Sequence, residues 1–182
     1  MKHKTNKTPA LKKHKTNILS IISLVVFFGI ILALLLLRLY VFEPYRIHGQ
    51  SMSPTLKNGQ EILVKLGHPQ PKIGDIVIFT ESGLAKYNQP NTLQLVKRVV
   101  ALAGDRVKVN NGTLTVYDNS HPNGFDPDNS DGLSSQNTSG NINTIVSSGD
   151  IYVLGDNRYV SLDSREFGQV PVSSIIGRVI SH

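Results

Sequence analysis

The chain has 182 residues, enough for one compact domain and an anchor. It contains no cysteine, which excludes disulfides, thiolate zinc sites and a cysteine nucleophile. The formal net charge of +6 is matched by six lysines that all precede residue 18, so the basic balance is no argument for nucleic acid.

Those lysines, Lys2, Lys4, Lys7, Lys12, Lys13 and Lys15, have no acid among them and make residues 1–17 a basic tail. Ile18 to Leu37 follows with no charge and only Ser20 and Ser23 polar. Twenty residues at helical rise cover about 30 Å, the thickness of bilayer hydrocarbon, so a transmembrane helix is predicted over 18–37. A buried core helix would carry a polar stripe, and this run has none. The flank Leu34-Leu35-Leu36-Leu37-Arg38 makes a poor cleavage site, so the span reads as retained. Tail lysines stay in the cytoplasm, beside anionic lipid, which predicts an extracytoplasmic domain over 38–182 and a single-pass protein of the cell membrane.

Tyr40, Phe42 and Tyr45 suit the headgroup level. Short strands are then predicted at Tyr45–His48, Glu61–Leu66, Asp75–Phe79, Leu93–Ala101, Arg106–Val109, Thr113–Tyr117, Ile151–Leu154 and Ile175–Ile180. They are rich in Val, Ile, Leu and Tyr and bounded by Gly, Pro, Asn and Asp. The expected domain is mainly β, a partly closed barrel or packed antiparallel sheets. Residues 118–149 are dominated by Asn, Ser, Gly and Asp and read as a polar, mobile surface excursion. Asp126, Asp128 and Asp131 lack EF-hand spacing and its closing glutamate, so no metal is expected.

Strand alternation places Leu93, Leu95, Lys97, Val99 and Ala101 on one face, apolar except for the lysine, with Arg98 on the other. Desolvation lowers the pKa of a core-facing lysine, and a neutral amine can serve as a general base. The alternative is an edge-strand lysine whose stem carries the amine outward. Ser51 sits in Gly49-Gln50-Ser51-Met52-Ser53-Pro54-Thr55-Leu56, where Pro54 and Thr55 favour a turn and Gly49 permits close backbone approach. A serine hydroxyl needs a base before it attacks. His48, His68 and His121 stand in segments without a matching acid motif, so a histidine triad has no support in the sequence. A third segment, Gly155 to Gly168, is crowded with small polar and charged residues. It reads either as a solvated loop or as an ordered one in which Asp–Arg pairs lock a hydroxyl in place.

Together the three segments resemble the type I signal peptidases, in the shorter Gram-positive-like form. The resemblance rests on Ser51-Met52-Ser53-Pro54-Thr55-Leu56, on Lys97-Arg98 followed by Gly104-Asp105, and on Gly155-Asp156-Asn157-Arg158 through Ser161, Asp163, Ser164 and Arg165. It implies a serine endopeptidase that removes signal peptides from preproteins, without a cofactor. Ser51 would be the nucleophile and Lys97 the general base, with Ser161 orienting the amine. Asp163 with Arg165, and Asp156 with Arg98, would be supporting ion pairs. The Ser51 N–H would face the oxyanion, and Gly49 stands where some members place a second, hydroxyl donor. LexA-like autopeptidases share the dyad chemistry but need a helix-turn-helix that residues 1–37 do not supply. A catalytically inactive, membrane-tethered scaffold of the same fold would be marked by loss of Ser51 or Lys97, and both are present.

Overall fold

The computed structural model describes residues 18–67, 70–129, 133 and 137–181. The basic tail, His68 and Asp131 lie outside the described residues. Residues 1–38 and 39–182 form two units, each taken by itself. Ile18–Val41 is one helix, α1, a proline-free run in which every described side chain from 18 to 36 is exposed. Among the described residues no helix is long and apolar enough to cross a membrane.

The second unit is antiparallel β. Its strands are β1 (Phe42–Arg46), β2 (Glu61–Leu66), β3 (Ile76–Ser82), β4 (Thr92–Leu102), β5 (Arg106–Asn110), β6 (Thr113–Tyr117), β7 (Ile142–Ile145), β8 (Asp150–Leu154), β9 (Val170–Pro171) and β10 (Ile175–Ser181). Seven form one sheet in the order β1-β2-β10-β3-β4-β8-β9, and β6-β5-β7 form a second. The expectation of packed antiparallel sheets holds. The partly closed barrel does not, because β1 and β9 end the large sheet without pairing to each other.

Alternation builds the simpler strands. In β2 only Ile62 and Val64 are buried, and in β5 only Val107 and Val109. Asn111 and Gly112 both have positive φ, 50° and 82°, which matches the twist of the β5–β6 hairpin. Three apolar clusters result. One joins Val107, Val109, Leu114 and Val116 of the small sheet to Val100, Ala101, Tyr152 and Leu154 of the large one. The second packs Met52 and Leu56 onto Ile62, Val64, Ile76 and Ile78. The third holds Val77, Phe79, Val99, Ile151 and Val153.

Two further corrections bear on the site. In β4, Leu95 and Val99 pack in the third cluster, but a register shift between Val99 and Ala101 moves Ala101 into the first. The tract 118–149 is not a free excursion. It bridges back at Phe125 to Val116, buries Asp128, Leu133 and Thr138, and returns as β7, which pairs with β5. Its polar composition hid these anchors because its few apolar residues are widely spaced.

Candidate active site

Ser51 opens the turn between β1 and β2. Below it, Met52 and Leu56 are buried in the second cluster, each stabilising the turn by roughly 1.5–3 kcal/mol. The Leu56 N–H donates to the Met52 carbonyl at 2.8 Å, and the Ser53 N–H donates to Gln50 at 3.1 Å. Ser53–Pro54 is cis. Gly49 has φ of 91°, a left-handed conformation that disfavours a side chain, and its N–H donates to Asn58 Oδ1 at 2.9 Å. Ser51 itself stays half-buried, so its hydroxyl meets both the core and the surface.

Lys97 lies mid-way along β4, opposite Val77, and is only 2% exposed. Its Nζ donates to Ser51 Oγ at 2.8 Å across 46 residues of sequence. Desolvation lowers its pKa from the ordinary 10.5 to about 8. Asp163 and Asp156 oppose that shift, and Arg165 adds to it. At pH 7 about one amine in ten is then neutral, against roughly one in 3,000 for an unshifted lysine. An edge lysine pointing outward is therefore ruled out.

Arg98 is buried as well. Its guanidinium grips Asp156 through Nε at 2.8 Å and a terminal nitrogen at 2.7 Å, and a third donor reaches the Gly74 carbonyl at 3.0 Å. The face opposite Lys97 is thus protein, not water.

The segment after β8 closes over Ser51. Asn157 N–H donates to the Ser51 carbonyl at 2.9 Å. Asp163, fully buried, accepts from Gly155 N–H at 3.0 Å and from Arg165 Nε at 2.8 Å. It also caps the short helix α2 (Ser164–Phe167), where Glu166 completes a capping box. Arg165 goes on to bind the carbonyls of Arg158 and Ser161, at 2.9 and 3.3 Å. The loop is ordered by charge-assisted bonds, the second of the two sequence readings.

Ser161 departs from expectation. Its Oγ is buried and has no hydrogen-bond partner, so the bond to the Lys97 amine is not made here. It packs against Gly155 instead. A Cβ at Gly155 would lie 2.2 Å from Ser161 Oγ and 2.5 Å from the Ser51 carbonyl oxygen. Gly155→Ala is therefore expected to lower stability by about 1–3 kcal/mol and turnover at least about tenfold. Wild-type values for both, from denaturant melts and initial rates, would refute the close packing.

Neither described histidine of the domain reaches this pair. His48 is exposed on the cleft wall, and His121 is bound to Asp118. Among the described residues no three His, Asp or Glu side chains group as metal ligands. Sequence reasoning gave no structural role to Asp128, Thr138 or Ser164. Ser164 Oγ accepts from Val153 N–H at 3.0 Å, and the other two hold Arg158.

A cleft of about 380 Å³ opens beside Ser51, walled on one side by Tyr45, Ile47 and His48 and on the other by Leu93, Leu95 and Val96. Both walls are strand edges. β1 ends the large sheet, and β4 meets β8 only from Arg98 onward, so Thr92–Lys97 is paired on one side alone.

At the end of this apolar cleft a hydroxyl lies within hydrogen-bond reach of a buried amine, which in its neutral form can take the hydroxyl proton. The family described as signal peptidase, peptidase S26, matches residues 19–182. Signal peptidase I of Bacillus caldolyticus is 37% identical over 153 residues, covering 79% of this chain and 80% of its own length. Signal peptidase IB of Staphylococcus aureus is 34% identical over 176 residues, covering 87% of this chain and 85% of its own. A crystal structure of a signal peptidase I from Enterococcus faecalis is matched at a TM-score of 0.43 and 24% identity, over 62% of this chain and 98% of that one. The chain belongs to the signal peptidase family, peptidase S26.

Proposed function

We propose that this protein is a membrane-bound signal peptidase in which Ser51 is the nucleophile and Lys97 the general base. The observation that carries the reading is the 2.8 Å contact between Ser51 Oγ and an amine that burial brings to a pKa of about 8. When the amine is neutral its lone pair takes the hydroxyl proton, and Oγ attacks the scissile carbonyl carbon. The resulting ammonium returns that proton to the departing amine as the peptide bond breaks. Water then releases the acyl group, with Lys97 again as base. Among the described residues no acceptor is paired with the Ser51 N–H, which leaves it free to stabilise the oxyanion. Gly49 adds no hydroxyl. Asp163 with Arg165 and Asp156 with Arg98 hold the surrounding backbone, and Met52 anchors the turn from below.

The substrate is the signal peptide of an exported preprotein, bound extended between the two unpaired edges. Backbone bonds supply affinity, and the cleft beside Ser51 selects small side chains in an Ala-x-Ala-like pattern. Residues 18–37 cross the bilayer, 1–17 remain cytoplasmic, and 38–182 act on the outer face. The run Ile18–Leu37, uncharged and polar only at Ser20 and Ser23, supports the span. No nucleic acid, metal or cofactor enters the reaction.

The test is cleavage of a model preprotein whose residue at the cut is varied. Replacing Ala there by Leu or Phe is expected to lower kcat/KM by about 100-fold or more, since a shallow pocket rejects added volume. Equal rates for small and large residues would reject this binding mode.

A further inference from the structure

Among the described residues Arg158 is the largest of the fully buried side chains, and nothing in the proposed chemistry uses it. Its donors point three ways. One terminal nitrogen donates to Asp128 Oδ2 at 2.5 Å and the other to Thr138 Oγ1 at 2.6 Å. Nε donates to the Gly155 carbonyl at 2.9 Å. Asp128 and Thr138 belong to the polar tract, whereas Gly155 is the residue pressed against the Ser51 carbonyl and Ser161. Two residues on, Asn157 N–H holds that same Ser51 carbonyl at 2.9 Å.

We propose that Arg158, clamped by Asp128 and Thr138, is a positioning residue that sets how deeply the 155–161 turn seats on Ser51. A planar guanidinium with three donors engaged cannot shift toward one partner without losing another. The turn's depth is therefore referred to the tract and, through β7, to the small sheet. An apolar group of equal volume would often stabilise such a site as well as a buried ion pair does. What it cannot supply is direction. Asp128 is held at a cost visible in its second oxygen, Oδ1, which is buried without a partner.

The consequence reaches Lys97. The turn and its continuation supply Asp156, Asp163, Arg165 and Glu166, the charged groups acting on the amine: the three acids raise its pKa and Arg165 lowers it. Asp128 faces Arg158, Asp126 and Asp156. If the clamp opens, the turn loosens, and both the burial of the amine and the charges that act on it change.

This inference rests on the Ser51–Lys97 reading, and its test separates the two. Full-length Asp128→Asn and Thr138→Val proteins are compared with wild type and with Val116→Ala, a cavity variant in the small-sheet core. Expected for both clamp variants are faster amide exchange at Gly155–Asn157, a fall in kcat of about tenfold with KM little changed, and an acidic limb of the pH–rate profile displaced from that of wild type. Val116→Ala should lower stability without moving the limb. Wild-type kcat per folded molecule with an unmoved limb in both clamp variants would overturn the proposal. Should Asp128→Asn fail to fold, Thr138→Val decides alone, since it removes one bond and keeps the shape. An active Ser51→Ala enzyme would defeat the dyad reading, yet the exchange of Asn157 would still report on the clamp.

Discussion

Replacing Lys97 by Met is expected to lower turnover by at least about 10³-fold while leaving the protein more resistant to denaturant than wild type. The stem is kept and the base hydrogen-bonded to Ser51 Oγ is removed. The stability gain follows from the direction of the pKa shift. The folded value, about 8, lies below the ordinary 10.5, so the unfolded chain binds the proton more readily. Below pH 8 the full penalty, roughly 3 kcal/mol, weighs on the folded state. Between pH 8 and 10.5 the folded amine is neutral while the unfolded one is charged, so wild-type stability rises with pH across that window. Lys97→Met lacks this rise, and its advantage should shrink over the same interval. Paired urea melts at pH 7 and pH 10 measure it. Activity of wild type should climb along an acidic limb near pH 8, and Lys97→Arg should be inactive because guanidinium stays protonated. An active Lys97→Met enzyme, or one less stable than wild type at pH 7, contradicts the buried-base assignment.

Ser51→Ala should cost more activity still, on the order of 10⁴-fold or greater, because it removes the atom that forms the bond. Stability should change by less than about 1 kcal/mol, since the hydroxyl is half-buried and makes one side-chain bond. The turn itself is held by Met52 and Leu56 and by backbone bonds that Ala preserves. Preprotein should still bind in the cleft, so the variant is expected to trap uncleaved substrate. Near-normal rates from purified Ser51→Ala protein would show that another group attacks.

How far these features could be read in advance depended on the range of the forces behind them. Lys97 was legible because strand parity is local: Leu95 and Val99 do share its face, and Val77 sits opposite. Arg98 was harder. Alternation assigns it the other face but cannot say that the small sheet and Asp156 cover that face too, since two-sided burial depends on what packs there. The Ser51 turn was recognisable from its Pro and Gly, and the burial of Met52 and Leu56 beneath it is a tertiary fact. Asp128 and Thr138 were invisible in a tract of Asn, Ser and Gly, because a buried ion pair leaves no periodicity. β7 escaped for a similar reason: Ile142-Asn143-Thr144-Ile145 is too short and polar to stand out, and pairing with β5 makes it a strand. Ser161 was assigned a bond by resemblance alone, and its hydroxyl lies unpaired.

The two unpaired strand edges have a meaning for solubility. Rows of free N–H and C=O groups on β1 and on Thr92–Lys97 are what another chain would need to add itself to the sheet. Here both rows line a single cleft of about 380 Å³, far less than the volume of a folded domain. A folded neighbour presenting its own sheet edge is too bulky to enter, whereas a single extended segment is not. The geometry that leaves room for an extended segment thus also shields the protein from edge-to-edge association with its own kind. A domain at high local concentration can keep an open β-edge without forming fibres.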